Sequence, residues 1–384
     1  MPSRAAPHAR ESVLRDRSFL LLLVATLGAF SGYVLLLPVV PLWAVTGGSG
    51  EVAAGATNGV FMLITVLTQL FMPWSLRRVD HRVALGVGTL LIGVPTPLFA
   101  VSTELWPLLA VSGVRGVGFG MLTVTGSALV AELVPAAQRG RATGLYGLAV
   151  GLPNAVLLPV GVWLARYVGF ELLFWVAGAL PVAAAGAAFG IARVPRRTPE
   201  AGPGRSSPFP VSLLSPWLVM LAVSIAAGGL VAFLPLAVAD AVSPVALLAF
   251  GVATVGFRWV AGQLGDRFGS RWIPLPSAAI ACLGLVVVAL AATGPAWAAV
   301  PGALGLGAGF GALQNATLVL MFDRADSATA STAWNIAYDA GNGLGSVGFG
   351  AVVAAADHPT TFTAAAVLVA CGVPVTVAIA RRRS

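Results

Sequence analysis

Asp339 is the one acid deep inside an apolar run; the other thirteen acids lie in tails, loops or run ends. A carboxyl removed from water is easier to protonate, so Asp339 is placed to load and release a proton. The alternative is a structural hydrogen bond to a neighbouring helix. It sits in a polar band of Trp334, Asn335, Tyr338, Gly341 and Asn342, which implies a cavity wall. Arg115 is a second charge inside an apolar run. A charge there is expensive and faces a cavity, unless the side chain snorkels to the headgroups, about two and a half turns away. Arg258 is eight residues before Asp266, near a run end, and is either structural or a partner for Asp339. The neutral candidates for a midplane cavity are Tyr33, Asn154, Gln314 and Asn315, with Asn58 and Gln69 beside them. Nothing here points to an enzyme. His8, His81 and His358 fall in the tail or loops with no nucleophile or metal cluster around them. Cys282 and Cys371 fall inside apolar runs and read as packing residues, so neither a metal nor a cofactor is expected.

The elements that must hold these groups are membrane helices. The chain is 58% hydrophobic and 9% charged, with a mean hydropathy of +0.92, whereas globular domains carry about 25% charged residues. Crossing a hydrocarbon core takes about 20 apolar residues. Backbone groups in lipid must pair internally, and runs that are apolar all round argue for helices rather than barrel strands. Twelve spans are expected: 18–45, 53–75, 83–102, 106–133, 142–165, 171–193, 213–239, 244–264, 274–293, 296–321, 331–356 and 361–380. A Pro/Gly/Arg-rich linker at 194–212 divides 1–193 from 213–384, six spans on each side. All 22 basic residues are arginine, and a cytosolic N-terminus puts 19 of them on the inner side, leaving only Arg115, Arg166 and Arg258. The positive-inside rule therefore predicts both termini in the cytosol. The formal charge of +8 serves orientation rather than nucleic-acid binding.

The halves repeat each other. Gly118-Phe119-Gly120 recurs as Gly309-Phe310-Gly311, 191 residues on, and Arg78 and Arg82 recur as Arg267 and Arg271, 189 residues on. Each half also carries a Leu-Pro pair near the outer end of its first span, Leu37-Pro38 and Leu234-Pro235. Prolines there kink helices, either as plain packing or as an outer gate.

The loop Gly262-Gln263-Leu264-Gly265-Asp266-Arg267-Phe268-Gly269-Ser270-Arg271 resembles the signature loop of the major facilitator superfamily, G-x-x-x-D-R-x-G-x-R, at every defined position. Gly262 is expected to let two helices approach and Gly269 to permit the turn. Asp266, Arg267 and Arg271 are expected to latch helix ends. The first-half loop keeps Arg78 and Arg82 but has Pro73 and Arg77 where the family has glycine and aspartate. Arg115 with its flanking glycines resembles the fourth-helix arginine motif of proton-coupled members. Gly144, Gly147, Gly151, Pro153 and Asn154 are similar to the fifth-helix motif of antiporters and drug exporters. Glu132 and Arg139 form a helix-end charge cluster, expected to pair with the loop arginines.

The resemblance implies an all-α membrane protein of twelve transmembrane helices in two pseudo-symmetric six-helix bundles, rocking around a midplane site. No G-x4-G-K-[ST] motif is present, so a gradient must supply the energy. The expectation is a proton-coupled exporter of a small amphipathic or apolar solute, monomeric, in the bacterial inner membrane, with protons and the lipid bilayer as its other partners. The alternatives are a metabolite uptake symporter and a non-transporting sensor or scaffold.

Overall fold

The computed structural model describes residues 16–134, 138–193, 210–325 and 327–381; for residues 131, 139–141, 143, 144, 266, 327, 328, 378, 380 and 381 it describes the backbone alone. Among these there is no strand. The helices are α1 (Arg17–Val34), α2 (Val39–Thr46), α3 (Gly50–Ser75), α4 (His81–Gly93), α5 (Leu105–Leu133), α6 (Arg139–Tyr167) and α7 (Phe170–Phe189), then α8 (Leu214–Ala237), α9 (Ser243–Phe268), α10 (Pro274–Ala291), α11 (Ala299–Phe322), α12 (Ser327–Ala355), α13 (His358–Cys371) and α14 (Val373–Arg381). The pairs α1–α2 and α13–α14 each make one crossing, so the fold is twelve crossings in two six-helix bundles. Eleven of the crossings are long and apolar enough to span a bilayer. The twelfth, α12, has 29 residues and falls short in hydropathy because it carries Asn335, Asp339, Asn342 and a run of glycines. Most of the expected linker, 194–209, lies outside the described residues. Large side chains such as Phe71, Trp106, Trp163 and Trp259 are exposed on the outside of the bundle, where lipid rather than water covers them.

Local chemistry sets where the helices start and break. Asp16 caps α1 by accepting the Phe19 N–H at 2.9 Å, and Asp80 caps α4 through the Arg82 N–H at 3.0 Å. Pro38 has no N–H to give, so the first crossing breaks between α1 and α2. The Asn58 Nδ2 donates to the Leu37 carbonyl at 2.9 Å across that break. Pro235 lies inside the last turn of α8 and leaves that helix unbroken.

The duplicated glycine stretch is a three-helix clamp. A Cβ on Gly116 or Gly120 would lie under 3.0 Å from the carbonyls of Phe61 and Thr65 on α3; one on Gly118 would meet the Gly88 carbonyl on α4 just as closely. In the second half, Gly307 and Gly311 abut the carbonyls of Phe250 and Thr254 on α9, and Gly309 that of Ser277 on α10. The partners are displaced by 189 positions and the glycines by 191, the same two offsets seen in the sequence. Small residues let the backbones touch where lipid gives no hydrophobic drive between helices. Each clamp fixes one central helix, α5 or α11, against its two neighbours and aims Phe119 or Phe310 at the centre.

The bundles meet along two seams. On one, Gly350 of α12 abuts the Glu51 carbonyl of α3, Gly55 abuts Ser346, and Gly59 and Gly343 face Val347 and Met62. On the other, Gly251 of α9 packs against Asn154 and Ala155 of α6, and Gly151 faces Val255. These contacts occupy the half of the molecule away from the arginine-rich loops. Toward the basic end the seams part. Gly147 lies one turn from Gly151 on the same face of α6, yet a Cβ there would meet nothing within 4 Å. The molecule is closed at the arginine-poor end and open at the basic end.

Candidate functional site

Asp339 sits where the α3–α12 seam ends. It is 4% exposed. Gln69 of α3 donates from Nε2 to Asp339 Oδ2 at 2.7 Å and to Thr123 Oγ1 of α5 at 3.1 Å. The carboxyl therefore joins the second bundle to two helices of the first. Among the described residues it makes no ion pair, and Arg258 reaches elsewhere: its Nη1 donates to Gln314 Oε1 at 3.0 Å, and its guanidinium lies 5.8 Å from the Trp334 ring. Of the two roles open to Arg258 in the sequence, partnership with Asp339 is not the one seen.

Arg115 does not snorkel. It is 3% exposed, and it donates from Nε to the Ile92 carbonyl at 3.2 Å and from Nη2 to the Gly32 carbonyl at 3.1 Å. Its guanidinium lies 5.4 Å from the Phe99 ring and 5.7 Å from Phe61. Tyr33 stacks on Phe61 at 5.2 Å and lies 4.1 Å from Phe119. With Asn58, Tyr33 and Arg115 line a small pocket with room for about one water molecule. Gln314 and Asn315 face α9 from α11, Asn315 opposite Gly262. Asn154 differs from the others. It donates to its own helix, at the Val150 carbonyl, and sits in the α6–α9 seam.

The family model described as Major Facilitator Superfamily matches residues 19–350. The chain belongs to the Major Facilitator Superfamily. Two Mycobacterium tuberculosis proteins, the uncharacterized MFS-type transporters MT1926 and Rv1877, are each 30% identical over 181 residues, 45% of this chain. That match spans only 25% of their length. Among solved structures, a bacterial homologue of the human lysosomal transporter Spinster, inward-facing and unoccupied, aligns over 95% of this chain and 96% of its own with a TM-score of 0.79 and 15% identity. The xylose transporter XylE from E. coli, partially occluded and inward open, aligns over 93% and 96% with a TM-score of 0.76 and 14% identity. The nucleoside transporter NupG aligns over 95% and 100% with a TM-score of 0.75 and 11% identity. At these identities the likeness is one of fold. The family and fold are those of secondary transporters of small molecules rather than of enzymes, and this is a multi-pass membrane protein.

In this superfamily member the two loop regions differ. Gly269 ends α9 with φ +86°, a conformation that a side chain would strain, and its N–H returns to the Gly265 carbonyl at 2.8 Å. Gly262 makes no close helix approach: a Cβ there would meet only the side chain of Asn315 on α11, Nδ2 at 3.5 Å. Arg267 is exposed, and the Arg271 guanidinium lies 5.3 Å from the Trp272 ring. The side chains of Asp266 and Arg139 lie outside the described residues. Glu132 pairs with His81 Nε2 at 3.4 Å rather than with the loop arginines to which the sequence assigned it. In the first-half loop, Asp80 faces Arg82 at 3.5 Å and Arg193 at 3.7 Å, while Arg78 lies 4.0 Å from the Trp74 ring. The acid that this loop lacks at position 77 is thus supplied three residues later, tying the loop to the end of the sixth crossing.

A further contact crosses the closed end. Arg166, at the end of α6, pairs with Asp240 and donates to the Pro235 carbonyl at the end of α8. The sequence signal for it was that Arg166 breaks the positive-inside pattern.

Proposed function

We propose that this protein is a proton-coupled exporter that moves a small amphipathic or apolar solute by alternating access, residues 1–193 and 213–384 rocking as two bodies about the 194–212 linker. The basic end faces the cytosol of a bacterial cell, both termini lie there, and the chain acts as a monomer. The observation that carries the reading is the Gln69–Asp339 bond. A carboxyl that can hold a proton lies on the boundary between the bundles, at the level where the seam changes from closed to open. Neutralising it removes the charge that the Gln69 N–H holds across the boundary, so protonation and bundle movement share one contact. Arg115, Tyr33, Gln314 and Asn315 supply the polar points of an otherwise apolar cavity. Asn154 acts in the α6–α9 seam. The helix-end groups Arg78, Arg82, Glu132, Arg139, Gly262, Asp266, Arg267, Gly269 and Arg271 gate the basic end.

The test is exclusion of two fluorescent amphipathic dyes, one cationic and one anionic, from cells expressing wild type or Asp339→Asn, with and without a protonophore. The expected outcome is that wild type excludes at least one dye only while the gradient stands, and that Asp339→Asn reaches the membrane but excludes neither. Equal loading of both dyes in every condition would overturn export of amphipathic solutes. Exclusion that survives the protonophore would overturn proton coupling.

A further inference from the structure

Arg258 is a charge in the middle of α9, a crossing that is otherwise apolar enough to span a bilayer. It does not face lipid: its Nη1 bonds Gln314, which is 4% exposed on the central helix α11, and its guanidinium lies beside the buried Trp334 ring. The Arg258 side chain itself keeps an exposed part. Its hydrogen-bond partner is a neutral amide. Among the described residues, no carboxylate lies within ion-pair distance of it. The one acid at this depth, Asp339, is held by Gln69 on the other bundle. Arg115, a buried cation of the first bundle, donates only to backbone carbonyls. The centre of the molecule therefore holds two guanidinium groups against one carboxyl. A charge placed in an apolar span pairs with an opposite charge or with backbone carbonyls, and among the described residues Arg258 has only the neutral amide of Gln314.

What flanks Arg258 is equally specific. Trp334 stacks on Tyr338 at 5.4 Å, Tyr338 on Phe310 at 6.0 Å, and Phe310 on Phe250 at 5.9 Å, all within 24° of parallel. The guanidinium stands at the Trp334 end of this row of rings. One residue beyond Gln314, Asn315 has a buried Oδ1 with no partner. A cationic fork beside an aromatic wall matches a solute with an acidic head and a flat apolar body. Arg favours carboxylate-like groups because its donors form a planar fork.

We propose that Arg258, oriented by Gln314, is the point at which the substrate site recognises an anionic head, and that the transported solute is an amphipathic organic anion with an aromatic or similarly flat body. This deepens the transport reading above by naming its substrate class, and it depends on neither the direction of transport nor the coupling ion.

The test is equilibrium binding to the purified full chain in nanodiscs, with no gradient, by calorimetry against empty nanodiscs. Three probes share one ring system: 1-naphthoate, 1-naphthylmethanol and 1-naphthylmethylammonium. The expected result is a Kd for the naphthoate at least tenfold lower than for the alcohol or the ammonium. Arg258→Gln removes that gap. Gln314→Glu, which keeps the arginine but gives it an internal counterion in the place of the amide, also weakens naphthoate at least tenfold and leaves the ammonium as it was or tighter. Equal binding of the three probes, tighter binding of the ammonium, or a gap that survives in Gln314→Glu would overturn the proposal, and the last arm decides even where Arg258→Gln does not fold. Because no gradient is present, a failure of proton-coupled export in the dye experiment leaves this result untouched, and the reverse holds as well.

Discussion

Gln69 is the residue on which the proposed coupling turns. Its amide donates to both Asp339 and Thr123, while its own Oε1 is buried without a partner. The amide is thus committed to holding a carboxylate. A carboxylate left buried without a donor is strongly unfavourable. Gln69→Leu is expected to cut gradient-driven transport at least tenfold with normal abundance in the membrane, as read by vesicle flux against immunoblot. Unchanged flux would remove this bond from the mechanism. Asp339 stood out in the sequence because one acid inside a span needs no partner to be conspicuous. Gln69 was legible only as one more neutral cavity candidate, since its bond to a carboxyl 270 residues away acquires meaning only through the contact. His81 was passed over for a related reason: its partner Glu132 lies on a different helix.

At the level of the helices, glycine position decides packing. A methyl at Gly311 would be forced into the Thr254 carbonyl, whereas one at Gly147 meets open space. Gly311→Ala is expected to destabilise by about 1–3 kcal/mol, the usual range for overpacking. Gly147→Ala is expected to be neutral or to stabilise by up to about 1 kcal/mol through helix propensity. Thermal unfolding in detergent checks both. The loops make a second contrast. Asp80 already caps α4 and pairs with Arg82 and Arg193, so the first-half loop is tied down within its own bundle. Asp266→Asn is therefore expected to reduce transport far more than Arg77→Asp in the same flux assay. Equal effects would mean that the second-half loop has no special part. The twofold repeat of Gly-Phe-Gly was legible as a repeat. That its glycines seat the carbonyls of α3 and α4, or of α9 and α10, was not, because a glycine records that something is close without recording what. The expected close approach at Gly262 is absent for the same reason: what lies opposite it is a side chain, that of Asn315 on α11, rather than a helix backbone.

For the whole molecule, closure of the arginine-poor end rests on glycine seams plus the Arg166–Asp240 pair and the Pro235 carbonyl. Spin labels at Val168→Cys and Ala241→Cys, in a background without Cys282 and Cys371, report on that end from opposite bundles. Arg166→Gln is expected to add a longer population to their distance distribution by double electron–electron resonance, and a distribution identical to wild type would show that the seams alone keep the end shut. The sequence by itself determined the class of the molecule. Too few charges to solvate a surface, apolar runs of spanning length and a half-chain repeat leave a duplicated helical membrane protein as the outcome, because a bilayer admits few alternatives. It also singled out Arg115, Arg166 and Arg258 as the arginines that topology does not explain. What each of the three does was decided only by the tertiary structure. One is buried on backbone carbonyls, one bridges the closed end, and one stands beside an amide of the central helix α11. The physical reason is that a charge in a span must find a partner, but the partner belongs to another helix, and which helix lies opposite is fixed by packing between segments far apart in the chain.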